Sequence, residues 1–379
     1  MSATALSRRH FVLGASAALL PASPALAQPL KPPAAPRGLE IVQIIDSSTA
    51  QLDVSRDFLI GARAAWQDFN ARGGLRGRAV QHTVIEVDGS TAALRQALQT
   101  VRELPQCVAL SGTAGDRCAA QLAALLRQEG PEIAHVAPWL HNDADSTDEH
   151  TFPIFASRQE QIAHALRSLS VIGVTELGAV YASARERELY HADIARSAAG
   201  LRLHLLDYTP TRSLEQLGQG LTPATPAILL FIGGTPELAQ FTAGMARQDR
   251  QRYVIGLADV NLHTLNQLGR VRNSAVMAAQ VVPMVTAGQP VVRSYRDTLA
   301  RLFDEPPNPL SLAGFIAARY TQEVLQTLEG LPTRAQVLQA FQRRTALDLG
   351  GFRIHFQAQR RASGYVTQSM LTADGRIVG

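Results

Sequence analysis

One stretch of the chain, residues 61–88, constrains the fold more than any other. Its sequence is GARAAWQDFNARGGLRGRAVQHTVIEVD. Apolar side chains around its start recur at helical spacing and predict one buried helix face. The members of that face are Phe58, Ala62, Ala65 and Phe69. Asn70, Gly73 and Gly74 predict the end of the helix, because they tolerate the left-handed conformation found there. The β-branched run 80–87 then predicts a strand.

A second strand precedes this helix. The apolar run 41–45 predicts that strand, and the polar loop 46–53 follows its carboxyl end. A strand, loop, helix and strand in this order form the repeating unit of parallel α/β sheets. Ligands of open α/β sheets bind beyond the carboxyl ends of the strands. The sequence therefore predicts a ligand site beside the loop 46–53.

The same alternation continues along the chain and predicts parallel sheets with right-handed crossovers. Further predicted strands are 107–110, 133–137, 177–181, 201–208, 227–232, 253–257 and 275–282. A charged loop is predicted at 182–189, ahead of a helix over 191–199.

The N-terminal residues predict an export signal. Arg8 and Arg9 precede the apolar residues 11–20, and Ala25-Leu26-Ala27 fits a cleavage site. We interpret residues 1–27 as a twin-arginine-type signal peptide and the proline-rich residues 28–38 as a linker. A disordered basic N-terminus is the alternative. The mature chain would then lie in the periplasm.

Charge and cysteine content narrow the possible functions. Removing Arg8 and Arg9 with the signal lowers the formal net charge from +4 to +2. So small a charge does not indicate nucleic acid or an anionic membrane as partner. Cys107 begins a predicted strand and Cys118 lies in the next helix, beyond the reach of a disulfide. We expect two buried free thiols.

The spacing of glycines and an asparagine after the first helix resembles the opening of a known family. That family is the type I periplasmic substrate-binding proteins of ABC importers, the leucine/isoleucine/valine-binding class. The matching positions are Gly61, Ala62, Ala65, Asn70, Gly73, Gly74 and Gly77. The resemblance implies two Rossmann-like α/β lobes with parallel sheets, joined by a three-segment hinge. The implied lobes are residues 39–156 plus 285–347 and residues 157–284 plus 348–379.

The resemblance also implies a function. The protein would capture a small-molecule ligand between its lobes by hinge closure and deliver it to an inner-membrane ABC permease. We expect a monomer that catalyses no reaction and holds no cofactor or metal. A ligand-sensing subunit of a signalling system, with a receptor as partner, is the alternative. The sequence carries no G-x-G-x-x-G after the first strand and no G-x-S-x-G or H-E-x-x-H motif.

In the first lobe, the resemblance assigns the ligand's carboxylate to Ser111 and Thr113. The alternative is that the loop 111–116 only caps the next helix. Trp139 and His141 stand where the family has smaller residues, often threonine. Trp139 would stack on a planar ligand or simply cover the loop. These two residues make branched-chain amino acids less favoured than an aromatic acid, an amide or another small carboxylate.

In the second lobe, the resemblance places Tyr190 facing the cleft, with packing at a helix start as the alternative. Thr235 follows two glycines and would donate to the ligand. Asp259 would pair with a ligand ammonium group; capping the helix that begins near Leu262 is the alternative. We expect replacement of Asp259 or Tyr190 to weaken ligand binding without unfolding the protein.

Overall fold

The computed structural model describes residues 38–129, 132–142, 148–269, 274–356, 362, 364–372 and 374–379. The predicted signal peptide 1–27 lies outside the described residues, as does the linker apart from Gly38. The described chain alternates strands and helices from β1 to β14 and from α1 to α11.

The strands are β1 (Glu40–Asp46), β2 (Gln81–Val87), β3 (Cys107–Ser111), β4 (Ala134–Val136), β5 (Thr151–Phe152), β6 (Glu176–Tyr181), β7 (His204–Tyr208), β8 (Ile228–Ile232), β9 (Arg252–Gly256), β10 (Ser274–Gln280), β11 (Leu347–Asp348), β12 (Arg353–Ile354), β13 (Thr367–Leu371) and β14 (Ile377–Val378). The helices are α1 (Leu52–Ala71), α2 (Thr91–Glu103), α3 (Asp116–Glu129), α4 (Arg158–Val171), α5 (Ala184–Gly200), α6 (Leu214–Gln219), α7 (Thr235–Met245), α8 (Leu262–Gln267), α9 (Pro290–Leu302), α10 (Pro309–Gln326) and α11 (Arg334–Gln342).

Two sheets define two lobes, which confirms the predicted fold class. The first sheet has the order β2-β1-β3-β4-β5, and all its strand pairs are parallel. The second has the order β14-β13-β10-β9-β8-β6-β7, parallel from β10 to β7 and antiparallel at the β13 edge. The short ribbon β11-β12 stands apart from both.

The chain passes between the lobes three times. It leaves the first sheet after β5, returns after β10, and enters the second sheet again at β13. Residues of α9, α10 and α11 share one buried core with α1 and the first sheet, so these late helices belong to the first lobe. The residue boundaries predicted for the two lobes stay a prediction.

Helices α1 and α10 cross in close contact, and glycine makes this possible. A Cβ on Gly61 would lie 1.7 Å from the carbonyl oxygen of Ser311, and one on Gly314 would lie 1.8 Å from that of Phe58. Real Cβ atoms do not approach so closely, so the two helices touch backbone to backbone. The glycine at position 61 of the opening stretch thus has a packing reason.

Two sequence predictions on local structure have clear outcomes. Cys107 and Cys118 are buried and free, as predicted. The predicted charged loop 182–189 is wrong: α5 begins at Ala184. Ser183 caps this helix by accepting a hydrogen bond from the Glu186 N–H, and the charged residues form its exposed face. None of the helices in the described ranges is long and apolar enough to cross a bilayer.

Candidate ligand-binding cleft

A cleft of about 490 Å³ lies between the two lobes. The first lobe lines it with residues at or just after the carboxyl ends of β1, β2 and β3, among them Asp46, Asp88 and Asp116. The second lobe contributes residues that follow β6 and β8, including Ser183 and Gly234. The carboxyl ends of both sheets therefore face one cavity, where α/β proteins bind their ligands.

Five side chains cluster at the bottom of this cleft, and we call them the ionic floor: Asp116, Arg158 and Asp259, which line the cavity, and Trp139 and His141, which lie beneath them. Arg158 Nη2 lies 2.5 Å from Asp259 Oδ2 and 3.1 Å from Asp116 Oδ2. The indole Nε1 of Trp139 donates to Asp259 Oδ1 at 2.8 Å, and His141 Nε2 lies 3.6 Å from the same oxygen. Because Asp116 and Trp139 come from the first lobe, the floor connects the two lobes.

Burial and charge oppose each other in the ionic floor. Burial by itself raises the pKa of Asp259, but Arg158 and His141 hold the pKa of this carboxyl below its ordinary value. Burial also disfavours the charged form of Arg158, yet Asp259 holds the pKa of its guanidinium above its ordinary range. Both groups are therefore ionised, and each compensates the other in a water-poor site.

Tyr190 and Asp259, two of the predicted site residues, line the cleft. The guanidinium carbon of Arg158 lies 5.0 Å from the centre of the Tyr190 ring, a distance typical of cation–π contact. Burial raises the pKa of the Tyr190 phenol, so this hydroxyl stays protonated. Tyr190 thus lies beside the ionic floor in the second turn of α5.

Trp139 and His141 lie beneath the cleft rather than in its wall. Trp139 is buried against Phe58 and Phe155 as well as against Asp259. His141 Nδ1 lies 3.2 Å from the carbonyl oxygen of Ala156. Their contacts orient Asp259, and a direct role of Trp139 and His141 in holding the ligand stays a prediction.

The predicted hydroxyl donors bond within the protein. Ser111 Oγ lies 2.7 Å from Thr321 Oγ1. Thr113 Oγ1 lies 3.0 Å from His135 Nε2, deep in the first lobe. Ser111 and Thr113 are buried, and neither lines the cleft, so their part in carboxylate binding has no support from their placement.

Thr235 likewise has partners inside the protein. Its Oγ1 accepts from the Asn261 N–H at 2.9 Å and donates to the carbonyl oxygen of Asp259 at 3.3 Å. These bonds fix the loop that carries Asp259. The proposed capping of α8 by Asp259 is wrong, because the side chain of Asn261 caps that helix.

The sequence reading missed Arg158 and the pairing role of Asp116. Arg158 is the first residue of α4, directly after the capping-box residue Ser157. Its signal is a lone arginine that follows the apolar run 152–156 at a predicted crossing between lobes. An arginine in such a place needs a buried partner, and the sequence did not say which carboxylate that partner is.

A second contact joins the lobes beside the cleft. Asn261 Nδ2 donates to Asp57 Oδ2 at 2.7 Å, linking the start of α8 to α1. Burial raises the pKa of Asp57 to about 6, although the bond from Asn261 lowers it, and neighbouring Asp53 raises it further. Asp57 therefore changes charge in a range where most carboxyl groups are already ionised.

We expect the stability of the protein to depend on pH through Asp57. Its pKa rises from 3.8 to about 6 on folding, so the folded state binds this proton more tightly. The stabilisation is full below pH 3.8 and is lost as the pH rises through about 6. Asp57→Asn should therefore flatten the fall in unfolding free energy between about pH 4 and about pH 7.

Urea denaturation across that pH range measures this effect. Asp304→Asn, which changes an exposed aspartate nearby, serves as control and should keep the slope of the parent. Equal slopes for Asp57→Asn and the parent would contradict the role of Asp57.

The described residues include no group of three or more His, Cys, Asp or Glu side chains arranged to hold a metal ion. Chemically, the cleft offers a buried ion pair, a tyrosine and several helix N-termini from two lobes. A cavity lined from both halves of a hinged, two-lobe α/β fold defines a solute-binding protein.

The chain belongs to the periplasmic binding protein family, whose profile matches residues 39–375. The resemblance proposed from the sequence is thereby confirmed. Among curated proteins, no sequence matches the chain.

Solved structures of similar fold include three informative examples. A substrate-binding periplasmic protein from Ralstonia solanacearum is 22% identical, with a TM-score of 0.78, and the match covers 90% of this chain and 99% of that one. The branched-chain amino acid transporter substrate-binding protein LivJ from Streptococcus pneumoniae, in complex with isoleucine, is 12% identical, with a TM-score of 0.76 and coverages of 90% and 97%. A fatty acid ABC transporter substrate-binding protein from Thermomonospora curvata is 14% identical, with a TM-score of 0.75 and coverages of 89% and 89%. At these identities, the likeness concerns the fold alone.

Proposed function

We propose that this protein is the exported solute-binding component of an ABC importer. It captures a small amino-acid-like, carboxylate or amide ligand between its lobes and presents the closed form to a membrane permease. The single observation that carries this proposal is the cleft of about 490 Å³, lined from both lobes at the carboxyl ends of their strands. Its volume falls in the range of small-molecule sites, about 300–1,000 Å³.

Hinge closure follows from the way the cleft is built. Its walls come from two lobes connected by three chain crossings, so a ligand that touches both walls favours the closed form. The permease then needs only to distinguish the closed form from the open one. Export by the twin-arginine route and action as a monomer are parts of the same proposal.

The ligand class is the open part of the proposal. The LivJ structure is a complex with isoleucine, and another protein of the same fold is the substrate-binding protein of a fatty acid ABC transporter. The fold therefore accepts ligands of different chemistry, and the side chains of this cleft decide among them. In this chain the ion pair of Arg158 with Asp259 occupies its floor.

A thermal-shift screen of small carboxylates, amides and amino acids tests the proposal. A ligand at about 100 times its Kd stabilises the folded state by about 2.7 kcal/mol. Tyr190→Phe keeps the ring beneath Arg158 and removes only the hydroxyl, so it should weaken binding by up to about tenfold.

Tyr253→Phe is the matched control, because Tyr253 is 42% exposed on β9 and does not line the cleft. Isothermal titration of parent, Tyr190→Phe and Tyr253→Phe gives the three affinities. A ligand that the parent and Tyr190→Phe bind equally would contradict the position of Tyr190 in the binding site.

A further inference from the structure

Arg158 occupies the place in the cleft that a cationic ligand would need. Asp116 and Asp259 are the carboxylates at the cleft floor, and the guanidinium of Arg158 lies between them at 3.1 and 2.5 Å. Arg158 is only 5% exposed and Asp259 only 4%. A group held so deeply is part of the protein's own structure rather than a mobile side chain at the rim.

Each of the four carboxylate oxygens in the floor has a protein donor nearby. Asp259 Oδ1 accepts from Trp139 and Asp259 Oδ2 from Arg158. Asp116 Oδ1 accepts from the His141 N–H at 2.7 Å, and Asp116 Oδ2 accepts from Arg158. A ligand ammonium group would have to displace a buried arginine from its partners, and a buried ion left without a partner is strongly unfavourable.

The other carboxylates of the cleft wall also have roles within the protein. Asp46 accepts from the Ser48 N–H and Asp88 from the Ser90 N–H, each at 2.9 Å. Glu186 and Glu237 lie in the first turns of α5 and α7, where the helix N-terminus stabilises negative charge. Among the described residues, each carboxylate of the wall therefore accepts from the protein or lies at a helix N-terminus, and burial raises the pKa of Glu186.

Two arginines of the cleft wall, unlike these carboxylates, are open to interaction with a ligand. Arg117 and Arg185 are exposed and line the same cleft. Neither forms an ion pair with another described residue. Their guanidinium groups are donors that a ligand carboxylate or carbonyl can accept from.

We propose that Arg158 is a specificity-determining residue that excludes ligands carrying a free ammonium group. Its guanidinium is the permanent cation of the cleft floor, so the cleft selects carboxylates and amides that lack an amine. This inference rests on the proposed solute-binding function and narrows its ligand class. It implies that plain amino acids are not the solutes of this protein.

Matched pairs of small molecules test the selectivity. L-phenylalanine with 3-phenylpropionate and L-leucine with 4-methylpentanoate differ only by the ammonium group. The desamino member of any pair that binds should raise the Tm of the parent more than the amino acid does. An amino acid that binds at least about tenfold more tightly than its desamino partner, a difference of about 1.4 kcal/mol, overturns the proposal.

Chemical rescue tests whether the Arg158 guanidinium fills the site between Asp116 and Asp259, and it needs no knowledge of the solute. Arg158→Ala should lower the Tm, and methylguanidinium chloride should restore it as the concentration rises, because a ligand that binds only the folded state stabilises it by mass action. The parent should show no such rise beyond the effect of equal sodium chloride. Arg196→Ala, which removes an exposed arginine of α5 outside the cleft, should behave as the parent.

These experiments distinguish failure of the proposed solute-binding function from failure of the role proposed for Arg158. If methylguanidinium rescues Arg158→Ala but the parent binds no solute, the proposed function is refuted. The conclusion that Arg158 occupies the ionic floor would still stand. A parent that methylguanidinium stabilises as strongly as the variant would show a vacant carboxylate pair and would refute the role of Arg158. The effect of methylguanidinium on the Tm of the parent therefore decides whether Arg158 fills the carboxylate pair, even if Arg158→Ala does not fold.

Discussion

Gly61→Ala is expected to destabilise the first lobe by about 3 kcal/mol or more. The new Cβ would lie 1.7 Å from the carbonyl oxygen of Ser311, which is backbone and has no rotamer to change. Helix α10 would have to move away from α1 and open the core around Phe58 and Phe315. Overpacking usually costs about 1–3 kcal/mol, and a backbone obstacle places this case at the upper end or beyond.

Gly200→Ala is the matched control for this substitution. Gly200 ends α5, and no atom lies within 4 Å of a Cβ built there. Its replacement should change stability by less than about 1 kcal/mol, since alanine is the better helix former. Urea denaturation monitored by tryptophan fluorescence measures both variants. A Gly61→Ala variant as stable as Gly200→Ala would refute the backbone contact between the helices.

Asp259→Ala is expected to destabilise the protein by about 3–5 kcal/mol, the typical effect of removing one partner of a buried ion pair. Among the described residues, it leaves the Arg158 guanidinium in an ion pair with Asp116 alone, and it leaves the Trp139 N–H without its acceptor. The sequence alone led us to expect weaker ligand binding without unfolding. The structure changes that expectation, because Asp259 holds the floor of the cleft together.

A double-mutant cycle checks the source of this effect. Asp259→Ala combined with Arg158→Met should lose less stability than the sum of the two single variants, because no uncompensated ion remains. Asp193→Ala, which breaks an exposed ion pair with Arg196 on α5, should change stability by about 1 kcal/mol or less. Additive losses in the cycle would contradict the coupling of Arg158 and Asp259.

The general fold was open to prediction because its signals are local. Apolar periodicity, glycines at helix ends and β-branched runs depend on a few neighbouring residues, and they gave the alternation of strands and helices. The error at 182–189 has a local cause too: charged residues were taken for a loop when they form the exposed face of α5. The edge of the sheet that carries the cleft followed from the strand direction.

The site was only partly predictable. Tyr190 and Asp259 line the cleft, Asp259 in the loop after β9 and Tyr190 in the second turn of α5, and their roles in ligand binding stay predictions. Ser111 and Thr113 occupy the predicted loop, but their hydroxyls bond to Thr321 and His135 instead. Those partners are 210 and 22 positions away, so no local pattern could indicate them.

The sequence by itself determined that the chain is an α/β protein of the periplasmic binding class with two buried, unpaired thiols. The α/β alternation and the separation of the two thiols follow from periodicity and spacing, and the class follows from the resemblance of residues 61–77 to that family. Only the tertiary structure decided that Arg158, 101 positions away, is the partner of Asp259. The pairing of buried charges depends on distances in space and on the loss of water around them, and neither is written in the order of the residues.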